Sequence, residues 1–294
     1  MPASSTRRSV LVPLDGSALA EHALRAAGLV LGSGDELHLL HITPAAELAR
    51  LAPSSATSMK PSIQAYLRSI PISDGVIVKT LVVRGREPAR SMLDYAGQNG
   101  ISLIAMTTHG AGGPSLHWIG QHAAAVAHRA AVPVLLVPPL SPDGRWTPLP
   151  GFRRVVLFLH APAPPSDSIA GLGRFLAGAT AMISLPEIVA PLYIGTSDRA
   201  GPVTSALADP SAARIGCVAL DRAAAVLREQ GLEATRTITR YCNTALGVLD
   251  HAAACNADLI VISGPAPSGD RPDPAADKIM RGSRRPVLLW RWPR

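Results

Sequence analysis

Apolar residues along this chain fall into short continuous runs, separated by stretches in which they recur every three or four positions. The run Ser9 to Leu14 (SVLVPL) reads as a strand buried on both faces. From Ser17 to about Leu31, alanine and leucine take helical spacing; Ser17 can cap that helix, and Glu21 and Arg25 stand one turn apart on it. The alternation continues with a strand at Glu36 to Ile42, a proline-punctuated and partly helical stretch to about Ile70, and a strand at Val76 to Val83. A helix at Glu87 to Gln98 and a strand at Ser102 to Thr107 follow, then a loop, a helix and the strand PVLLVP. Strands alternating with helices predict an α/β fold, a parallel sheet covered on both faces.

The second half repeats this order. RRVVLFLHA (153–161) echoes RRSVLVPLD, with Val155 standing 145 positions after Val10 and His160 where the first copy has Asp15. PEIVAPLYI (186–194) echoes ELHLLHI, ACNADLIVISG (254–264) echoes GQNGISLIAMTTHG, and RRPVLLWRW (284–292) echoes AAVPVLLVP with an offset of 153. Between the copies, Pro138, Pro139, Pro142, Gly144, Pro148, Pro150 and Gly151 mark a linker without helical or strand pattern. The expected division is a domain at 1–138, a linker at 139–151 and a second domain at 152–294.

Composition narrows the function classes. Hydrophobic residues make up 47% of the 294 and aromatics only 4%, which predicts aliphatic cores. No apolar run reaches about 18 residues, and MPASSTRRSV lacks the apolar centre of a signal peptide, so the chain reads as cytoplasmic with no membrane partner. The three cysteines, Cys217, Cys242 and Cys255, have no C-x-x-C spacing, and His109, His117, His122 and His128 crowd one region without metal-ligand spacing. Neither a disulfide framework nor a metal site is expected. The net charge of +7 comes from scattered arginines with no basic helix or aromatic strip, which favours a solvated basic face over a nucleic-acid surface.

The chemistry concentrates between Leu103 and Val137. An apolar strand runs into Thr107, Thr108, His109 and Gly110, then Gly112 and Gly113, and Gly120 opens a helix. Glycines let backbone amides approach an anion, and a helix amino terminus adds unpaired N–H groups, although a tight turn needs glycine too. The spacing Thr-x-x-Gly-x9-Gly-Gln resembles the nucleotide loop of the universal stress protein family, Gly-x-x-Gly-x9-Gly-Ser/Thr. Gly110 and Gly120 match; Thr107 stands at the first glycine and Gln121 at the hydroxyl residue. VLVPLDGSALAEHALRAAGLV (10–30) resembles that family's first strand and helix, ELHLLHI its second strand, and VVRGREPARSMLDYA (82–96) its third strand turning into a helix. The resemblance spans residues 9–138.

It implies two tandem doubly wound, Rossmann-like domains that pair through their last strands, PVLLVP and PVLLWRW, as an internal pseudo-dimer, with a further homodimer left open. The first domain would hold ATP, which Mg2+ can accompany. Asp15 would face adenine or ribose, or else cap the first helix with Ser17. Ile42 would offer backbone groups to adenine, or else serve the core, while His41 reads as structural. Arg84 and Gly85 would border ribose and phosphates, or else make an ordinary strand-to-helix turn. Thr107 and His109 belong to the loop, Gly110, Gly112 and Gly120 would bring amides to the phosphates, and Gln121 and His122 would stand at the distal end.

The second copy keeps the order of elements but loses the loop. Its Gly264 to Pro274 stretch is rich in proline, which donates no amide, and Asp270 and Asp273 would repel phosphate. Gly282 and Ser283 look like the Gly-Ser end of the motif with the upstream spacing broken. No Gly-x-Ser-x-Gly, post-loop lysine or paired carboxylates accompany the site, so at most slow ATP hydrolysis is expected. The leading expectation is an ATP-binding stress-response or signalling protein; the alternatives are an adaptor working through protein partners without nucleotide, and a basic nucleic-acid-associated protein.

Overall fold

The apolar runs at Ser9 to Leu14, Ser102 to Thr107 and the two PVLL segments become buried strands of one sheet. The computed structural model describes residues 7–44, 63–85, 87–109, 119–138, 151–159, 164–176, 182–189, 210–240, 243–266 and 273–292. The first half comprises β1 (Ser9–Pro13), α1 (His22–Gly28), β2 (Glu36–Pro44), α2 (63–69), β3 (Ile77–Gly85), α3 (Pro88–Gln98), β4 (Leu103–Thr107), α4 (Gln121–Arg129) and β5 (Val134–Val137). The second comprises β6 (Arg154–Leu159), α5 (Ser166–Leu176), β7 (Met182–Val189), α6 (Pro210–Glu229), β8 (Glu233–Arg240), α7 (Thr244–Ala254), β9 (Leu259–Pro265), α8 (Pro274–Gly282) and β10 (Val287–Trp292).

The ten strands form one sheet in the order β3-β2-β1-β4-β5-β10-β9-β6-β7-β8. Pairing is parallel within each half and antiparallel only where β5 meets β10. There Leu288 pairs with Leu135, Val287 with Leu136 and Leu289 with Val134. Residues 135 and 288 are counterparts at the same offset of 153 seen in the sequence, so a pseudo-twofold axis passes through their pair. The two edges expected to meet do meet, leaving β3 and β8 as the outer edges.

Two apolar layers run the length of this sheet. On one face Val10, Val12, Leu37, Leu135, Leu288 and Val261 pack against α1, α2, α5 and α6; on the other Leu11, Ile104, Leu136, Val287, Leu289 and Ile260 pack against α3, α4, α7 and α8. Both layers cross the β5–β10 seam, so neither half has a core of its own. Leu135, Leu136 and Leu288 are at most 1% exposed, and burying a leucine contributes roughly 1.5–3 kcal/mol.

Two boundaries differ from the sequence expectation. Helix α1 begins at His22 rather than Ser17; Ser17 Oγ instead accepts from Ala20 N–H (3.1 Å), capping the turn that leads into the helix. Strand β7 begins at Met182, four residues before Pro186, which is buried inside it opposite Thr237. Proline signals a strand start because it cannot donate to a ladder. Here the pairing of β7 with β6 ends at Ser184, so Pro186 lies past that ladder and its missing N–H breaks nothing on that side. The linker residues 139–150 lie outside the described residues. No helix among the described residues is long and apolar enough to cross a membrane.

Candidate functional site

The carboxyl ends of β1 to β4 open on one side of the first half, and the strand order reverses between β1 and β4. Open parallel sheets bind ligands outside such a reversal. Asp15, just after β1, is exposed, and its Oδ1 accepts from the Ser17 N–H (2.9 Å) and the Ser17 hydroxyl (2.6 Å). This is the capping arrangement with Ser17. Beside it the Tyr66 hydroxyl donates to Glu21 (2.8 Å); burial first, then that carboxylate, pushes the phenol pKa up. Tyr66 sits on α2, in the proline-punctuated stretch where no sequence signal marked it.

At the end of β2, His41 Nδ1 lies 2.9 Å from the Leu14 carbonyl, tying β2 to the exit of β1. Ile42 is half-buried and packs on the core, in register with Val83. Arg84, exposed at the end of β3, stands in register with Thr43. Gly85 sits in a close-packed turn: a Cβ there would lie 3.3 Å from the Ile42 side chain and closer still to the Ser91 hydroxyl, so a larger residue would need those side chains to shift. The strand-to-helix turn explains this glycine without a ligand.

The exit of β4 and the start of α4 are joined directly. Gly120 N–H donates to the Thr108 carbonyl (2.7 Å), while Thr108 N–H donates to Val137 (3.0 Å) on the neighbouring strand. Gly120 thus hangs from the sheet through Thr108, which was not singled out as a site residue. Thr107 turns its hydroxyl back onto the His109 carbonyl (2.6 Å), which closes the start of the loop without the glycine the motif has there. Thr108 Oγ1 lies 2.9 Å from His109 Nδ1. His109 Nε2 is buried with no hydrogen-bond partner among the described residues, and burial lowers the imidazole pKa.

Among the described residues, no side chain caps the amino end of helix α4. Its N-cap is Gly120, with extended backbone and no side chain to accept from the first-turn amides, and its first turn holds no acidic residue. Gln121 and His122 are exposed on that turn. A Cβ on Gly120 would lie 3.2 Å from the Thr108 carbonyl, so the close approach to β4 favours glycine. The structure therefore brings Thr107, Thr108 and His109 together with Gly120, Gln121 and His122. Asp15, Ile42, Arg84 and Gly85 stand at other strand ends on the same side of the sheet. Gly110 and Gly112 lie outside the described residues, as does His117; among those described, no three His, Cys, Asp or Glu side chains gather as metal ligands.

The matching place in the second half is closed. Val155 pairs with Leu259 as Val10 pairs with Leu103, which makes Ser263 the counterpart of Thr107 and Pro265 the counterpart of His109. Helix α8 starts at Pro274 with Asp273 as N-cap, and the Asp273 carboxylate accepts from Ala276 N–H (2.6 Å). From Thr107 to Gly120 is thirteen positions; from Ser263 to Asp273 is ten, so the connection is three residues shorter. Gly282 and Ser283 correct the sequence reading: they end α8 instead of opening it, with Ser283 as C-cap and its hydroxyl donating to Arg285 (2.8 Å). The Gly-Ser pair resembled the motif only because the order of residues hides which end of a helix they occupy.

The universal stress protein family model matches residues 6–138. No curated protein matches the sequence. Among solved structures, a universal stress protein from Archaeoglobus fulgidus DSM 4304 is 16% identical over 96% of this chain and 96% of its own, with a TM-score of 0.64. A functionally unknown protein from Pseudomonas aeruginosa PAO1 is 17% identical over 97% of this chain and 93% of its own, with a TM-score of 0.65. A universal stress protein from Archaeoglobus fulgidus, determined in complex with dAMP, is 14% identical over 46% of this chain and 95% of its own, with a TM-score of 0.32. The two long alignments carry the fold across both halves. Residues 6–138 therefore belong to the universal stress protein family, and the rest of the chain continues the same Rossmann-like fold.

Proposed function

We propose that this protein binds an adenine nucleotide in its first half and works as an ATP-responsive stress or signalling protein rather than as an enzyme of turnover. The observation that carries this reading is the amino end of α4, capped by no described side chain and hung from β4 by the Gly120–Thr108 hydrogen bond at the reversal of strand order. Amides and helix dipole there suit a phosphate. His109, whose Nε2 lacks a partner among the described residues, stands beside it. Gly110, Gly112 and Gly120 would bring backbone amides to the phosphates, with Thr107 closing the loop and Gln121 and His122 at its distal end. Asp15, Ile42, Arg84 and Gly85 would border base and ribose. Mg2+ can accompany the triphosphate, and the cytoplasm suits the ligand. Division at the proline-rich stretch 139–151 leaves domain 152–294 as the partner of the internal pair, without a nucleotide.

The test has two parts. Denaturing the purified protein and chromatographing the supernatant should release adenine nucleotide, and ATP titrated into stripped protein by calorimetry should fill a single site per chain. Folded-state binding should also raise stability by about 2.7 kcal/mol at a hundredfold excess over Kd, read as a thermal shift. No released nucleotide, together with no shift at millimolar ATP, would end this reading and leave the adaptor working through protein partners.

A further inference from the structure

Helix α4 is held at its far end by the other half of the molecule. Arg291, near the end of β10, crosses the seam: Nη2 donates to the Ala127 carbonyl (3.0 Å) in the last turn of α4, and Nη1 reaches the Pro265 carbonyl at the end of β9 (3.4 Å). Its surroundings are dry enough to lower the guanidinium pKa, with Asp273 opposing that shift, and its Nε is buried without a partner among the described residues. One residue along α4, His128 Nε2 lies 3.2 Å from Asp277 on α8, whose other oxygen accepts from Arg281 (2.8 Å). The last turn of α4 is thus gripped from β10 and from α8.

The grip runs one way. The pseudo-twofold through Leu135 and Leu288 relates Arg291 to Pro138 and Ala127 to Met280. Pro138 has no side-chain donor, so the last turn of α8 receives no such hold. The half whose own helix start is capped by Asp273 holds the helix whose start no described side chain caps.

That asymmetry matters because α4 is weakly self-supporting. It has nine residues, no side-chain cap and no acid in its first turn, and isolated helices of this length are marginal in water. Its placement rests on its small apolar face of Ala123, Val126 and Ala127, on the Gly120–Thr108 bond, and on what fixes its carboxyl end. A cation there also reinforces the dipole that the amino end offers to an anion. The helix is about 13 Å long, so a group at one end does not touch a ligand at the other.

We propose that Arg291 is a positioning residue for the nucleotide site of the other half: by capping the carboxyl end of α4 it sets the seat of Gly120 and the first-turn amides against Thr108. The inference rests on the nucleotide reading above, and its test separates the two. Arg291→Met keeps the apolar stem and removes the donors; Arg291→Lys restores a cation. Two quantities are read on the full chain: ATP affinity by calorimetry, and hydrogen exchange of the Gly120 amide without nucleotide.

Arg291→Met should weaken ATP roughly tenfold and speed exchange at Gly120, with Arg291→Lys lying between it and the parent. A defect confined to local packing would speed exchange at Ala130, whose N–H bonds Val126 beside the arginine, and leave Gly120 unchanged; that result overturns the proposal. Unchanged ATP affinity in Arg291→Met overturns it as well. If the parent protein binds no ATP, the nucleotide reading has failed, and faster exchange at Gly120 still decides whether Arg291 seats α4. Should Arg291→Met not fold, Arg291→Lys against the parent carries both readouts.

Discussion

Helices α4 and α8 occupy equivalent places on one face of one sheet, yet their amino ends are opposites. α4 begins at a glycine, with no described side chain accepting from its first-turn amides; α8 begins at an aspartate whose carboxylate accepts from one of them, followed by a proline that removes another outright. A helix start leaves N–H groups that something must accept from. The second half meets that need in part with its own side chain, and no described side chain does so in the first. The comparison teaches that a fold and the chemistry of its helix starts are separable. Both halves keep the sheet, the layers and the helix positions, and a handful of residues at one helix start decides whether a side chain caps it.

The comparison can be tested first where the halves should be equal. Leu135 and Leu288 are paired on the pseudo-twofold and at most 1% exposed, so Leu135→Ala and Leu288→Ala should each cost about 3 kcal/mol in urea unfolding. A loss confined to one of them would show that the seam is not symmetric. Next comes the difference itself. Gln121→Glu places a carboxylate in the first turn of α4, one position beyond the N-cap that Asp273 occupies in α8, and should lower ATP affinity about a hundredfold without lowering stability, since an acid there suits the helix dipole. Retained affinity would move the phosphates away from α4.

The converse change is smaller. Asp273→Ala should cost about 1 kcal/mol through the lost cap and should not create nucleotide binding, because Pro274 and the shorter connection remain. ATP binding gained by that variant would mean that the cap alone closes the second site.

The mildest contrast lies at the opposite end of the strands. In the first half, hydrogen bonds from His38 and then Lys79, with Arg7 nearby, hold Glu36 down to about 2 from 4.5. In the second half a neutral cluster takes that place: His251 Nε2 lies 2.8 Å from the Ser184 hydroxyl, and burial lowers the His251 pKa from 6.5. Both folded values are depressed, so both contributions are present at neutral pH and lost on acidification, because the unfolded chain binds the proton first. The His251 contribution fades as pH falls through 6.5, and the Glu36 contribution from 4.5 down through about 2. Glu36→Gln should flatten stability against pH only in the lower window and His251→Gln only in the upper, measured as urea midpoints across pH.

The strands of the first half were legible because strands buried on both faces need uninterrupted apolar runs, and Ser9 to Leu14 and Ser102 to Thr107 are such runs. The pairing of PVLLVP with PVLLWRW was legible for the same reason together with the repeat. The start of β7 was not, since Pro186 marks a boundary in sequence and a tolerated interior position in space. At the site, the glycine spacing pointed to Gly120, and the threonine ending an apolar strand was Thr107, with nothing marking Thr108. No pattern showed that Thr108 suspends the helix, that Gly85 packs against Ile42 and Ser91, or that Arg291 reaches Ala127 from 164 positions away.

Periodicity and repetition settle which segments are strands, which are helices, and that the chain does this twice, because burial on one face or two leaves a period in the order of residues. The resemblance of one segment to a family is likewise carried by local spacing. Which helix start a side chain caps, which glycine packs closely, and which arginine holds a helix of the other half depend on atoms brought together across long separations. Such contacts leave no period in the sequence, and they exist only once the ten strands have closed into one sheet.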